Sequence, residues 1–360
     1  MRTKLWLRQP DPPFARIAEL DPAGSKDQWK YDFKLRGIGT MSFYLSRNDV
    51  AKYRDAIYQI RPPMVTAERD DGALPWAGFI NHVHDDQDDP LVLYQCVDHA
   101  FRLSSPNGAR TYFSTTVIDA GTGIRQLFQD AADRAEPPFY LNLEHVGNGP
   151  TVSYPVRADY LLDFLNKLSE QANWEWALSH NIAAAVETYL VWTARVGIDR
   201  RDGQAWSHGQ HFASAVHDLD YANGIAAALA VGSGNAFDDR SAAVVSDTGK
   251  SSDNVPAYAQ ARTSPYGMGG SRVDVSNRST DPSVLRERAL QMRESPEWAV
   301  EQFGVTVAED KIEWMDVGVG DTRTIRFPRA AIGPIERPAR IIGIQMYPNK
   351  GVHDIELAAA

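Results

Sequence analysis

The chain of 360 residues carries a single cysteine, Cys96. One thiol excludes an internal disulfide framework and any cysteine-rich zinc site. It lies in the apolar run Leu91–Val97, which reads as a strand, so a buried thiol and not a nucleophile is expected. No run of eighteen apolar residues occurs, so nothing reads as a membrane-spanning helix. The opening residues, from Met1 to Phe14, hold too short an apolar stretch for a secretory signal. Basic residues are in deficit: 37 Lys and Arg face 47 Asp and Glu, a net charge of −10. That balance argues against a grip on nucleic-acid phosphates, which needs concentrated Lys and Arg. The common enzyme signatures are missing too. There is no G-x-S-x-G, and Gly37-Ile38-Gly39 and Gly232-Ser233-Gly234 sit in no phosphate-binding frame and read as turns. The expectation is a soluble, non-enzymatic protein made and assembled in a reducing cytoplasm, with no cofactor and no membrane insertion.

What is present is strand pattern, strongest at the carboxyl end. Gly318-Val319-Gly320-Asp321 ends an apolar approach. Thr322, Thr324 and Arg326 then alternate with Arg323, Ile325 and Phe327. Arg340–Gln345 and His353–Leu357 follow, separated by Pro348-Asn349-Lys350-Gly351. Period-two runs between Gly, Asn and Asp turns mean an antiparallel sheet. The first hundred residues read the same way: Phe14–Leu20, then Trp29, Tyr31, Phe33 and Leu35, then Met41, Phe43 and Leu45 on one face. Arg61–Ala67 and Trp76–Val83 form a hairpin across Asp70-Asp71-Gly72. Nine Trp and fourteen Tyr suit β cores as well as interfaces.

The middle is helical by contrast. Thr122 reads as the cap of a helix with Ile124, Leu127, Phe128 and Ala131 on one face, ended by Pro137-Pro138. A second helix follows Asp159, with Leu161, Phe164, Leu165 and Leu168. Trp174–Leu178 and Glu187–Val196 read as strands, and a late helix starts at Asp281-Pro282 and runs to about residue 294. At this length about two or three domains are expected. The fold class is therefore α+β, mostly β, with two small β-barrel-like domains, an inserted α+β domain and a late helix. The division is a first barrel-like domain at 1–107, an α+β insert at 108–186 and a second barrel-like domain at 187–360. The polar segment 232–280 is read as surface loop or subunit-contact arm, with long polar strands the alternative.

No constellation reads as a catalytic centre. His82 and His84 share a strand face with Asp86 close by, the nearest approach to a metal site. The preferred reading is a solvated hairpin end running into Gln87-Asp88-Asp89, with no metal bound. Ser207-His208-Gly209-Gln210-His211, with Asp218 and Asp220 beyond, lacks the glutamate of H-E-x-x-H and reads as a loop. Glu175 between Trp174 and Trp176 suits a sugar site, but a strand with an aromatic core face is the simpler account.

The order of these pieces resembles the central tail-hub (baseplate hub, tail-tip) proteins of long-tailed bacteriophages, and most of all the minor tail proteins of phages of actinobacteria. The resemblance rests on Arg16–Leu20, Gly39 before Met41–Leu45, Trp76–Ile80, Leu91–Leu103 and the two central helices. It extends through Tyr221–Ile225, Ser264-Pro265-Tyr266-Gly267, Asp316–Asp321 and Arg340–Ile344. It implies a homotrimeric ring that adapts a sixfold tail tube to a threefold tip, located at the tail tip of the virion. It also implies contacts with the distal tail protein, the tape-measure protein and other tail-tip proteins. It implies no enzyme activity, and since Ala360 closely follows the last strand, no appended hydrolase or fibre is expected. Net negative charge would leave a channel unattractive to DNA. The alternatives are a metal-dependent cell-wall hydrolase and a glycan-binding tail module.

Overall fold

The computed structural model describes residues 2–23, 29–58, 61–104, 110–113, 118–134, 141–144, 147, 149–152, 157–172, 174–182, 186–219, 225–231, 242–246, 251–253, 270–274, 285, 301–328, 330 and 333–360. The chain opens with β1 (Thr3–Arg8), β2 (Arg16–Leu20), β3 (Lys30–Lys34), β4 (Thr40–Ser46), α1 (Arg47–Ile57), β5 (Met64–Arg69), β6 (Trp76–His84) and β7 (Leu91–Asp98). The central part holds β8 (Arg110–Phe113), β9 (Ile118–Asp119), α2 (Ala120–Arg134), β10 (Asn142–Glu144), β11 (Thr151–Val152), β12 (Arg157–Tyr160), α3 (Leu161–Ala172), β13 (Glu175–Ile182) and β14 (Val186–Thr193). Then come β15 (Trp206–Ser207), β16 (Phe212–Leu219), β17 (Ile225–Val231), β18 (Ala242–Ser246), β19 (Ser251–Asp253) and β20 (Gly270–Asp274). β21 (Glu301–Ala308), β22 (Thr322–Phe327), β23 (Ile335–Met346) and β24 (Val352–Ala359) finish the chain.

The fold is α+β and mostly β, as the alternation implies. Among the described residues thirteen strands make one sheet along the path β16-β21-β24-β23-β3-β4-β7-β6-β5-β1-β2, with β22 beside β23 and β15 beside β22. The two β regions at the chain's ends are joined where Ile344 of β23 lies opposite Phe33 of β3. Among the described residues the path does not close on itself, so β16 and β2 are its ends, and β15 ends the branch through β22. The burial follows the period-two pattern. Met41, Phe43 and Leu45 of β4 point inward, as do Phe303, Val305 and Val307 of β21. Both halves contribute to one core that holds Leu5, Leu7 and Tyr31 together with Val305, Ile344 and Ile355. The hairpin expected across Asp70-Asp71-Gly72 pairs Ala67 with Trp76. Its turn is held by the Asp71 carboxylate, which accepts the Ala73 amide at 3.0 Å.

Several elements were not read from the pattern, the loop expected around Asp218 being strand β16 and β21 having gone unread, and two others show why. β1 sits between β2 and β5, burying Leu5 and Leu7 while Trp6 on the opposite face lies 4.4 Å under the Arg16 guanidinium. α1 is polar on most sides and fully buries only Ile57. Its start is written in Ser46-Arg47-Asn48-Asp49, where the Ser46 hydroxyl accepts the Asp49 amide at 3.2 Å, half of a capping box.

The central unit packs α2 and α3 on the sheet β10-β14-β13. Leu161, Phe164, Leu165 and Leu168 are fully buried, the stripe the spacing predicts. At about 1.5–3 kcal/mol per fully buried side chain, this stripe is what fixes α3 to the sheet. Two tryptophans of the sheet also donate to α3: Trp176 Nε1 to Asn166 at 2.9 Å and Trp192 Nε1 to the Ser169 hydroxyl at 2.8 Å. α2 starts two residues before the expected cap. The Asp119 carboxylate accepts the Thr122 amide at 2.9 Å, so Asp119 does the capping and Thr122 lies in the first turn. The strand expected at Glu187–Val196 is β14, and it pairs with β13 and β10. Within 232–280, β18, β19 and β20 form a four-stranded sheet with β17. The rest of that segment, and the late helix apart from the buried, helical Leu285, lie outside the described residues.

Candidate functional site

The densest polar chemistry lies where the central unit meets the main sheet. Arg340 of β23 forms a two-pronged ion pair with Glu175 of β13, whose side chain is 7% exposed. The same guanidinium donates to the Val196 carbonyl at 2.9 Å and the Gly320 carbonyl at 3.1 Å. Glu175 in turn accepts the Val196 amide at 3.0 Å. A planar fork is the group that can hold a carboxylate and two carbonyls at once. Beside it, Asp321 accepts the amides of Ile198 at 2.7 Å and Gly318 at 3.1 Å. Burial pushes its carboxyl above the usual range although those amides and Arg200 pull it down. Arg36, after β3, adds a second tie: its amide donates to the Trp176 carbonyl and its guanidinium to the Trp174 carbonyl. Glu175 is thus a joint residue between two sheets, and Trp176 is core. The sequence carried one signal for this, a lone carboxylate inside the apolar run Trp174–Leu178.

A second network locks the two halves of the main sheet. Arg69 of β5, its side chain 1% exposed, pairs with Asp71 and with Glu309 beyond β21, both at 2.8 Å. His353 of β24 accepts the Tyr347 amide on Nδ1, so Nε2 carries the proton and donates to Glu309 at 2.5 Å. Trp314 stands edge-on to His353 with centroids 4.7 Å apart.

The histidines singled out in the sequence do not gather. His82 and His84 are exposed at the far end of β6, and Asp86 accepts the Asp88 amide within the turn that follows. Among the described residues no group of three His, Cys, Asp or Glu side chains is placed to hold a metal ion. His211 is buried and accepts the Ser207 amide on Nδ1 at 3.1 Å, which makes His208–His211 a closed turn around Gly209. His217 faces Glu301 at 2.8 Å. Cys96 is buried, and desolvation pushes its thiol well above the ordinary range, as its apolar strand implies. Among the described residues no helix is long and apolar enough to cross a membrane.

Two buried titratable groups flank the joint from the other side. His180 of β13, its ring near Trp76 and His99, is lowered to about 3 by burial. Asp98 of β7 is raised to about 8 by burial, against the pull of the Gly39 and Ala100 amides. The signs oppose. Below about pH 6.5 the unfolded His180 gains a proton that the folded one refuses, so acid weakens the fold. Above about pH 4 the unfolded Asp98 has lost a proton that the folded one keeps, so base weakens it. Between these values the two proton counts cancel, and a stability plateau is expected from about pH 4 to 6.5. From pH 6.5 to 8 stability should fall by roughly 2 kcal/mol. Urea melts of Asp98→Asn should lose that alkaline fall and show an acid loss from pH 6.5 downward; an unchanged profile in the variant would contradict the assignment.

No protein-family model matches the chain, and no curated protein matches it. Solved structures do match it end to end. The prophage MuSo2 43 kDa tail protein from Shewanella oneidensis superposes with a TM-score of 0.59 at 13% identity, covering 99% of this chain and 98% of that one. The tail protein from Neisseria meningitidis MC58 gives 0.60 at 12% identity, covering 100% and 97%. The prophage tail protein gp18 from Listeria monocytogenes EGD-e gives 0.55 at 13% identity, covering 99% and 94%. The chain therefore has the fold of phage tail proteins, and the resemblance read from the sequence is borne out in fold.

Proposed function

We propose that this chain is a structural hub of a phage tail tip: three copies form a ring that adapts a sixfold tube to a threefold tip, without catalysis. The observation that carries the reading is the end-to-end fold match to two prophage tail proteins and a third tail protein. The open sheet supports it. Among the described residues β16 and β2 are edges, and each exposes an apolar side chain, Val216 at 56% and Ile17 at 40%. Bare edges invite pairing, and a closed ring of like subunits covers them without making an open filament. In this reading the main-sheet strands before and after the central unit supply two similar positions per subunit, and the central unit, which takes in β14 beyond the expected boundary at 186, is the insert. The distal tail protein and the tape-measure protein are its neighbours, and the virion tail tip is its place.

Imaging of the assembled particle tests this. Three copies around the tail axis are expected; six copies per ring, or a site off the axis, would overturn the reading. The double variant His82→Ala/His84→Ala is expected to leave particle assembly intact and to abolish no cell-wall cleavage, measured as release of soluble wall fragments. Loss of such an activity with the fold retained would favour a metal-dependent hydrolase.

A further inference from the structure

The connector leaving β14 and the turn before β22 together carry an unusual surface. Ile198 and Met315 are 57% and 67% exposed, among the most exposed large apolar side chains described. Around them stand Arg195, Arg200 and Arg323. Arg195 donates to the Thr322 hydroxyl, Arg200 lies 3.5 Å from Asp316 and 3.7 Å from Asp321, and Arg323 donates to the Asp316 carbonyl. Asp321 already serves two amides, and Asp199, the carboxylate nearest Arg195, is held by Arg201, so neither is free to neutralise the arginines in full. Burial lowers Arg323 from its ordinary range, and the charge of Arg200 lowers it further, so the two cations repel each other. An incoming carboxylate would relieve that repulsion, and exposed apolar side chains beside it would add area.

The same chain carries the complement elsewhere. Asp85, Asp86, Asp88 and Asp89 form an exposed turn between β6 and β7 whose cation is Arg47, paired with Asp85 at 2.7 Å. Arg47 also donates to the Asp86 and Asp89 carbonyls, which fixes the turn's shape. Asp88 projects with no bond from its carboxylate among those described. The turn follows His84, the end of β6 remote from Trp76 and the central unit, whereas the arginines sit at the joint with that unit. Within one chain they have different partners.

We propose that the surface of Arg195, Arg200 and Arg323 with Ile198 and Met315 docks the Asp85–Asp89 turn of a second copy of this chain. The contact is heterologous, joining two different patches, the kind that closes into a ring when the rotation permits. It names the contact that would hold the ring of the preceding reading and rests on that reading.

The test places Asp88→Cys and Met315→Cys in one chain and treats assembled particles with a short bis-maleimide, Cys96 being buried. Cross-linking between copies, in a ladder that stops at three, is expected. A ladder beyond three would keep the docking and overturn the threefold ring. A threefold ring seen by imaging, with no cross-link between copies, would overturn the docking and keep the ring. Cross-linking of Met315→Cys to a different protein would also overturn it. In parallel, Asp88→Lys should lower the yield of assembled ring by about tenfold, since like charges then face each other. Adding Arg200→Glu should restore most of it; an unaffected yield for Asp88→Lys, or no recovery, would overturn the pairing.

Discussion

Arg340→Ala is expected to destabilise the protein by about 3–5 kcal/mol, the cost of leaving a buried carboxylate without its cation. The side chains involved are 13% and 7% exposed, so solvent cannot replace the lost partner. The variant also strips the Val196 and Gly320 carbonyls of a donor, while Glu175 keeps the Val196 amide. The control is the double change Glu175→Gln/Arg340→Met, which removes both charges and keeps most of the volume. It should cost much less than the single change, because an ion pair replaced by apolar groups of similar size is often nearly neutral. Urea unfolding followed by tryptophan fluorescence reads both, since Trp174 and Trp176 flank Glu175. Equal losses for the single and the double variant would mean that the site depends on the guanidinium's contacts with the two carbonyls and not on the charge.

How much of this was legible follows from what each element needs. β4 and β24 bury one face of a pleat, so alternation showed them directly; β21 has the same pattern but was not read. α3 buries a full stripe and was equally plain. α1 buries one residue fully, so its period is faint, and the cap at Ser46 was the only strong signal. β1 looked short and charged because Arg8 is buried, held by Thr66 at 2.9 Å and Glu68 at 2.7 Å. Sequence pattern has no way to announce a partner sixty residues on. The same holds for the joint. Glu175 and Arg340 are 165 residues apart, and neither carries a motif, since any carboxylate and any guanidinium in register would serve. The continuity of the main sheet through β23 and β3 was hidden for a related reason: register between distant strands is set by tertiary packing and not by local turns. The Gly318–Asp321 turn, by contrast, was visible as a turn, while what it presses against was not.

That turn supports the second large prediction. Gly320 has φ +89° and Gly197 has φ +82°, and the two backbones meet. A Cβ on Gly320 would stand 2.4 Å from the Val196 carbonyl oxygen, and one on Gly197 would stand 2.3 Å from the Gly320 carbonyl carbon. These neighbours are main chain and cannot swing aside as a long side chain would. They are also held in place, because the Gly320 amide donates to the Ile341 carbonyl at 2.7 Å and the Thr322 amide to the Ile198 carbonyl at 3.0 Å. Gly320→Ala therefore combines left-handed backbone strain of about 1–2 kcal/mol with an overpacking cost of about 1–3 kcal/mol. A loss of roughly 2–5 kcal/mol is expected, with the joint around Arg340 disturbed as well. Gly351 separates the two terms. It has φ +71° and open space where a Cβ would go, so Gly351→Ala should cost only the strain. If urea melts show the two alanine variants equally destabilised, close approach at the Gly320 turn contributes nothing and the backbone angle alone explains the glycine; a markedly larger loss at Gly320 locates the tight contact between the connector and the turn.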